Sequence, residues 1–243
     1  MTTRKEMLEK VRRALGHTET AGFEKASQSL DALPTLGRVL PPVAPSELVE
    51  KFESELQKLA GIACRAASIT DLEQILRDIL SKSEAGPIVL SRNSLLSQLR
   101  LSEKLTTWGR DCLIWPSSEN VSKERLADFR RQCFEAKVGI TGVEFVLAES
   151  GTLVLTSPTE GNQLASLAPP IHVALYRRAQ VVESLEEVLG RLPALRNPTQ
   201  LPGRSVVFIT GPSRTADIEQ ISIRGVHGPK HVYAVLVEDS CLS

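Results

Sequence analysis

The sequence has few aromatic residues and no excess charge of either sign. Phe, Trp and Tyr make up only 4% of the 243 residues, which leaves little material for the surfaces on which nucleic-acid bases stack. The 29 basic and 29 acidic residues cancel, so no general field attracts a polyanion or an anionic membrane. We therefore expect no nucleic-acid partner.

Cysteine is also scarce. The four cysteines, Cys64, Cys112, Cys133 and Cys241, are widely separated, with no C-x-x-C pair and no neighbouring group of metal-ligating residues. This spacing argues against a zinc site and against an iron–sulfur cluster held by this chain alone. We expect reduced thiols, and no metal or other cofactor bound by this chain alone.

Long apolar runs and the common signature motifs are missing as well. No apolar run approaches the length of a membrane span, and the N-terminus has no apolar core of a signal peptide. Both features predict a cytoplasmic protein without a membrane span. The sequence contains no P-loop, no G-x-G-x-x-G, no G-x-S-x-G and no H-E-x-x-H, which removes the simplest nucleotide, hydrolase and metalloprotease functions.

The pattern of apolar residues divides the chain near residue 45. Residues 3–15 predict an amphipathic helix, and residues 17–45 contain four prolines and no periodicity, as in an extended arm. We predict two parts, an N-terminal helix and Pro-rich arm over residues 1–44 and one α/β domain over residues 45–243.

Helix-like and strand-like segments alternate in the predicted domain. Helices are predicted over 46–60, 70–81, 93–107, 122–133, 181–191 and 214–221, and strands over 62–66, 87–90, 112–115, 138–140, 143–148, 153–156, 172–176, 205–210 and 231–237. Such alternation is typical of a parallel sheet. We therefore predict an open, mainly parallel sheet with helices on both faces.

Two turns near the C-terminus combine glycine with polar and basic side chains. An apolar strand ends at Gly211-Pro212, and Ser213 and Thr215 are residue types that begin helices. The unpaired N–H groups and the dipole of a helix N-terminus favour an anion, to which Arg214 would add positive charge. The alternative is a plain turn followed by a helix cap.

The second turn contains Gly225 and Gly228 on either side of His227, and it leads to Lys230. Gly-x-x-Gly-Pro is common in ordinary turns, so a purely structural turn and a ligand-binding turn both fit the sequence.

The segment Glu149-Ser150-Gly151-Thr152 also has two interpretations. It forms the turn of a β-hairpin, or it offers a carboxylate at a strand end beside a backbone that approaches a ligand closely. We expect this segment to lie near residues 211–215 and His227, because loops at the carboxyl edge of an open α/β sheet converge.

Taken in order, these segments resemble the lactate-utilisation protein C family, the stand-alone form of the LUD domain. The resemblance covers roughly residues 45 to 238 and rests on five segments: Gly139 to Gly142, Ala148 to Thr152, Pro169 to His172, Gly211 to Glu219, and Gly225 to Lys230. It implies a fold similar to the sugar-phosphate isomerase and CoA-transferase superfamily. It also implies a role beside two iron–sulfur partner proteins in oxidising L-lactate to pyruvate.

The resemblance also indicates site residues. The catalytic candidates are Glu149 and His227, and the candidates for binding a small anionic ligand are Ser150, Gly151, Thr152, Gly211, Ser213, Arg214, Thr215 and Lys230. Relatives often have an arginine shortly before the paired prolines, where this chain has Gln163 and its neighbours. If that arginine binds a substrate carboxylate, this chain either binds a different ligand or uses Arg214 instead.

Two functions remain open at this stage. The protein is either an accessory subunit of a lactate-oxidising system or an independent transferase or isomerase. In the second case it would act on an acyl-CoA or a phosphorylated acid, with Glu149 as nucleophile or base.

Overall fold

The computed structural model describes residues 6–7, 9–10, 42–114, 122–161, 163–192, 205–216, 222–225 and 228–242. The chain forms two compact units, Met1–Pro42 and Val43–Ser243. In the first unit Glu6, Met7, Glu9 and Lys10 are helical. The rest of the predicted helix, and the Pro-rich arm up to residue 41, lie outside the described residues. The predicted boundary between residues 44 and 45 stays a prediction.

The second unit consists of short strands and helices. Its described strands are β1 (Ile62–Ala66), β2 (Ile88–Leu90), β3 (Cys112–Ile114), β4 (Val138–Thr141), β5 (Phe145–Leu147), β6 (Thr152–Thr156), β7 (Ile171–Tyr176), β8 (Val181–Val182), β9 (Val206–Ile209), β10 (Arg214–Ala216), β11 (Ser222–Arg224) and β12 (His231–Val237). Its described α-helices are α1 (Leu48–Lys58), α2 (Ile69–Ser81), α3 (Ser94–Gln98), α4 (Leu101–Thr107), α5 (Lys123–Glu135), α6 (Ser157–Glu160), α7 (Leu164–Leu167) and α8 (Leu185–Arg191).

A six-stranded sheet in the order β1-β12-β7-β4-β2-β3 is parallel throughout. All six residues of β7 are buried, as are six of the seven residues of β12. Burial on both faces is what a parallel sheet covered by other elements requires. The predicted mainly parallel α/β fold is confirmed.

Helices cover both faces of this sheet. On one face, apolar side chains of α2, α3 and α4, such as Leu76, Leu95 and Leu105, form a single core with the sheet. On the other face α1 packs through Phe52 and Leu56, while α5 and α7 pack over β2. No described helix is long and apolar enough to cross a bilayer.

A second sheet, in the order β8-β5-β6-β9, shares the face covered by α1. Of the two interpretations of residues 149–152, the structure shows the hairpin turn, because β5 and β6 pair antiparallel. Gly151 has a φ of 63°, and a Cβ there would lie 2.4 Å from the Leu56 backbone nitrogen. The turn therefore needs glycine at this position.

The helix predicted over residues 214–221 is wrong at its start. Arg214–Ala216 is strand β10, which pairs antiparallel with β11 and sets Thr215 opposite Ile223. Residues 217–221 lie outside the described residues. β-branched residues such as Thr and Ile favour a strand. Pairing with β11 therefore outweighs the preference of Ser213 and Thr215 for the start of a helix, which had suggested the helix.

Candidate functional site

The structure brings together part of the residue set that the sequence predicts. The Ser150 and Thr152 hydroxyl oxygens are 2.8 Å apart, and the Thr152 and Thr210 hydroxyl oxygens are 2.9 Å apart. The antiparallel pairing of β6 with β9 sets Leu153 opposite Ile209, so the 149–152 turn meets the chain just before Gly211. The contact arises in the second sheet, and not at the carboxyl edge of the parallel sheet as predicted.

The carboxylate of Glu149 binds the N-terminus of helix α8. Its Oε1 accepts a hydrogen bond of 2.6 Å from the backbone N–H of Leu185, the first residue of α8. A carboxylate is favourable at this position because it offsets the partial positive charge of a helix N-terminus. This bond gives Oε1 of Glu149 a structural role, and a reaction at Glu149 would use its other carboxylate oxygen.

The backbone around Ser213 is already paired. The Ser213 N–H donates to the Pro229 carbonyl at 2.9 Å, and the Ser213 carbonyl accepts from the Gly225 N–H at 3.0 Å. The Arg214 guanidinium donates to the carbonyl of Leu59. Over the described residues 211–216 the chain therefore has no helix N-terminus with free N–H groups. The anion-binding roles of Gly211, Ser213, Arg214 and Thr215 stay predictions without that support.

These loops also lie at a different edge of the parallel sheet from the one predicted. Lys230 immediately precedes β12, and its N–H donates at 2.8 Å to the carbonyl of Pro170, which immediately precedes β7. A Cβ on Gly228 would lie 3.2 Å from the Ser213 Cβ. Ser213 and Lys230 are thus at the amino edge of the parallel sheet. The prediction had placed β9 in the parallel sheet, whereas β9 belongs to the second sheet. His227 lies outside the described residues.

A cluster of polar side chains that the sequence did not predict lies at the carboxyl edge of the parallel sheet. Glu160, at the end of α6, accepts hydrogen bonds from Ser91 Oγ at 2.6 Å, from the Gly142 N–H at 3.1 Å and from Asn93 Nδ2. Ser91 directly follows β2, and Gly142 directly follows β4. Asn93 Oδ1 also accepts from the Leu95 N–H at 3.0 Å and so caps α3.

Glu160 is only 1% exposed. Burial raises its pKa above the ordinary value of 4.5, and the hydrogen bonds from Ser91, Asn93 and Gly142 act in the opposite direction. A carboxylate with this many donors holds the ends of two neighbouring strands and α6 in one arrangement. Gly142 is required next to it, because a Cβ there would lie 2.2 Å from Asn93 Cγ.

A cleft of about 380 Å³ opens beside Asn93 at the same edge. Its polar lining includes Asn93, Gln98, Arg177, Arg178, Gln180, Glu238 and Asp239, and its apolar lining includes Leu95 and Val237. Arg178 pairs with Glu238 at 2.6 Å, whereas the nearest carboxylate oxygen to Arg177 that the structure records is that of Asp239, at 3.9 Å. Ligands of open α/β sheets bind at this edge.

His172 is a structural residue. It is fully buried, its Nε2 lies 2.8 Å from Thr141 Oγ1, and its Nδ1 has no hydrogen-bond partner. Burial lowers its pKa to about 3, so the ring is neutral at physiological pH. The motif from Pro169 to His172 thus contributes a buried side chain to the sheet.

The cysteines are protected in the folded chain. Cys133 and Cys241 are buried, and Cys64 and Cys112 are partly buried. Burial raises the pKa of the Cys112 and Cys133 thiols to about 11, which opposes the thiolate form that binds metals. In the part of the chain that the structure describes, no three His, Cys, Asp or Glu side chains are grouped to hold a metal ion.

Comparison with known proteins identifies the family. The family model of the LUD domain matches residues 49–237. The chain belongs to the LUD domain family. The matched range contains Asn93, Gly142, Glu160 and Arg177, so most of the carboxyl-edge site lies within the LUD domain.

Two similar curated proteins are both named lactate utilization protein C. The protein from Geobacillus sp. (strain WCH70) is 28% identical over 197 residues, which is 79% of each chain. The protein from Bacillus subtilis (strain 168) is 30% identical over 173 residues, which is 70% of each chain. The suspected membership of the lactate-utilisation protein C family is thus confirmed.

A solved structure supports the fold. The crystal structure of a DUF162 family protein from Deinococcus radiodurans matches with a TM-score of 0.53 and 19% sequence identity, covering 81% of this chain and 99% of that one. At this identity the likeness concerns the fold alone.

Proposed function

We propose that this protein is a subunit of a lactate-utilisation system and supports the oxidation of L-lactate to pyruvate beside two iron–sulfur proteins, binding a small anionic ligand. The observation that carries the proposal is the family match over residues 49–237, together with relatives named lactate utilization protein C. The proposal places the protein in the cytoplasm.

The chemistry divides naturally between such partners. Oxidation of a 2-hydroxy acid to a 2-oxo acid removes two electrons, which amino-acid side chains do not accept and cofactors do. The proposal assigns electron transfer to the iron–sulfur partners, and it assigns to this chain the binding of the acid or of a related anion. The raised pKa of the Cys112 and Cys133 thiols agrees with this division.

The alternative function, a transferase or isomerase that uses Glu149 as nucleophile or base, gains less support from the geometry. The Glu149 carboxylate is bound to the Leu185 N–H at the start of α8. The neighbouring Ser150 and Thr152 hydroxyls bond to each other. These contacts explain the segment as a hairpin that anchors a helix.

The test is genetic and biochemical. Deletion of the gene should abolish growth of its host on L-lactate as sole carbon source, and a plasmid copy should restore growth. Growth on pyruvate is the control, because it bypasses the oxidation step and should not change. The tagged protein should also retain two iron–sulfur proteins during purification from lactate-grown cells. Normal growth of the deletion strain on L-lactate would contradict the proposal.

A further inference from the structure

We propose that the cleft beside Asn93 at the carboxyl edge of the parallel sheet binds a 2-hydroxy or 2-oxo monocarboxylate, with Arg177 holding the carboxylate group. This inference rests on the proposed function and specifies its ligand and its position. It moves the ligand away from residues 211–215, where the sequence placed it.

The position of the cleft is the first support. It lies where β7 and β12 end, between the Arg178–Gln180 turn and α3. Its volume of about 380 Å³ is at the small end of the range for ligand pockets, roughly 300–1,000 Å³. A small acid is therefore a better match than a large cofactor such as coenzyme A.

The charges of the lining residues select the class of ligand. Arg177, Arg178, Glu238 and Asp239 contribute two positive and two negative charges to the cleft. A phosphate dianion would face two carboxylates in a site with no net positive charge. A monoanion with a hydroxyl or keto group places one negative charge on an arginine, and a hydroxyl can donate to a carboxylate of the lining.

Of the two arginines, Arg177 has the weaker ion pair. Arg178 Nη2 donates to Glu238 Oε1 at 2.6 Å. The distance of 3.9 Å from Arg177 Nε to Asp239 Oδ1 is longer than a hydrogen bond, and the Arg177 side chain is 40% exposed. A guanidinium with spare donors binds a carboxylate through two parallel hydrogen bonds.

The backbone that carries Arg177 is held in place by Gln180. Gln180 Oε1 accepts from the Arg177 N–H at 2.8 Å, and Gln180 Nε2 donates to the Val143 carbonyl at 2.6 Å. One amide side chain thus ties the turn after β7 to the chain after β4. Across the cleft, the hydrogen bond from Asn93 to the buried Glu160 fixes the opposite wall. Hydrogen bonds within the chain thus fix both walls of the cleft.

Calorimetric titration of the full chain with L-lactate, pyruvate and inorganic phosphate tests the inference. Arg177→Gln should weaken the binding of L-lactate and pyruvate at least about tenfold, because one charge-assisted hydrogen bond accounts for that much. Arg177→Lys should restore part of the affinity, since it keeps the charge and loses the paired donors. Phosphate should neither bind in the cleft nor compete with L-lactate.

Two matched variants complete the design. Arg131→Gln removes an exposed arginine that pairs with Asp128 on α5, and it should leave binding unchanged. Arg214→Gln removes the arginine that the sequence favoured, and it should also leave binding unchanged. Melting temperatures of all variants establish that each chain is folded before its affinity is compared.

The outcomes separate this inference from the proposed function. If Arg214→Gln abolishes binding and Arg177→Gln does not, the cleft is not the site, although the protein still binds the acid. Absence of binding to wild type, or equal affinity in wild type and Arg177→Gln, also overturns the inference. The growth test on L-lactate decides the proposed function independently of these titrations.

Discussion

Replacing Gly142 by alanine should disconnect Asn93 from Glu160. An added Cβ would lie between 2.2 and 2.6 Å from the Asn93 Cγ, Nδ2 and Oδ1 atoms, whereas ordinary van der Waals contacts of a Cβ begin near 3.4 Å. Asn93 is only 8% exposed, so it has little room to move. It must either give up its bonds to Glu160 and Leu95 or remain compressed against the new methyl group.

Both responses have a similar energetic consequence. Loss of a hydrogen bond to a charged, buried group costs about 1.5–3 kcal/mol, and overpacking of a dense interior costs about 1–3 kcal/mol. Because one response relieves the other, the costs do not add, and we expect Gly142→Ala to lower the free energy of unfolding by about 2–3 kcal/mol. For a unit of this size the melting temperature should fall by roughly 4–12 °C.

A double-mutant cycle with Asn93→Ala identifies the cause. Without the Asn93 side chain the Cβ at position 142 meets no amide, so Gly142→Ala should cost less than about 1 kcal/mol in that background. Urea denaturation followed by circular dichroism measures all four chains. As a control, Gly190→Ala in α8, where a Cβ would meet nothing within 4 Å, should stabilise the protein by about 0.5–1 kcal/mol. The same cost of Gly142→Ala with and without Asn93 would refute the steric argument.

Four further expectations concern two buried titratable side chains, one tightly packed glycine and the metal content of the protein. The pKa of Glu160 is raised above 4.5 in the folded chain, so the free energy of unfolding of wild type should decrease as pH rises from about 4.5 through the folded pKa. Urea denaturation at several pH values measures this decrease, and Glu160→Gln should not show it. The pKa of His172 is lowered from 6.5 to about 3, so the free energy of unfolding should decrease as pH falls from 6.5 toward 3. This decrease should be smaller in His172→Leu. The same dependence of stability on pH in both proteins would show that the ring titrates normally. Gly139→Ala should destabilise more than Gly142→Ala in thermal melts, because its Cβ would lie 1.7 Å from the backbone oxygen of Ala165, which cannot turn aside as a side chain can. Purified protein should contain no stoichiometric iron or zinc by mass spectrometry, and one equivalent of metal that is lost in Cys112→Ser would contradict this expectation.

Local patterns in the sequence predicted the parallel sheet well. Helical periodicity and short apolar runs marked α1, α2, β1, β2 and β4 close to their observed bounds, because buried faces impose these periods on a sequence. The second sheet was harder to predict. The partner of β9 is β6. Alternation of apolar and polar residues marks a segment as a strand, but it does not say which other strand is its neighbour.

The carboxyl-edge cluster shows the same limit. Asn93 and Glu160 are 67 residues apart, and no sequence spacing connects them. One local signal was present, since Ser91-Arg92-Asn93 directly follows a buried strand, and polar residues at the end of a parallel strand often belong to a site. The glycine-rich turns at residues 211–215 and 225–230 were a stronger signal of a binding site at the carboxyl edge. However, β9 runs antiparallel to β6 in the second sheet, and Ser213 therefore lies at the amino edge of the parallel sheet.

The position of β12 has a consequence for how the chain is assembled. This last strand lies between β1 and β7, so β1 has no neighbour in the parallel sheet until residues 231–237 have left the ribosome. Glu238 and Asp239, which line the cleft, arrive at the same moment. Parallel pairing of distant segments is slow, and unpaired strand edges are prone to aggregation. Until β12 pairs, the facing edges of β1 and β7 have no partner strand in this sheet, so aggregation is favoured in the interval before residues 231–237 are available.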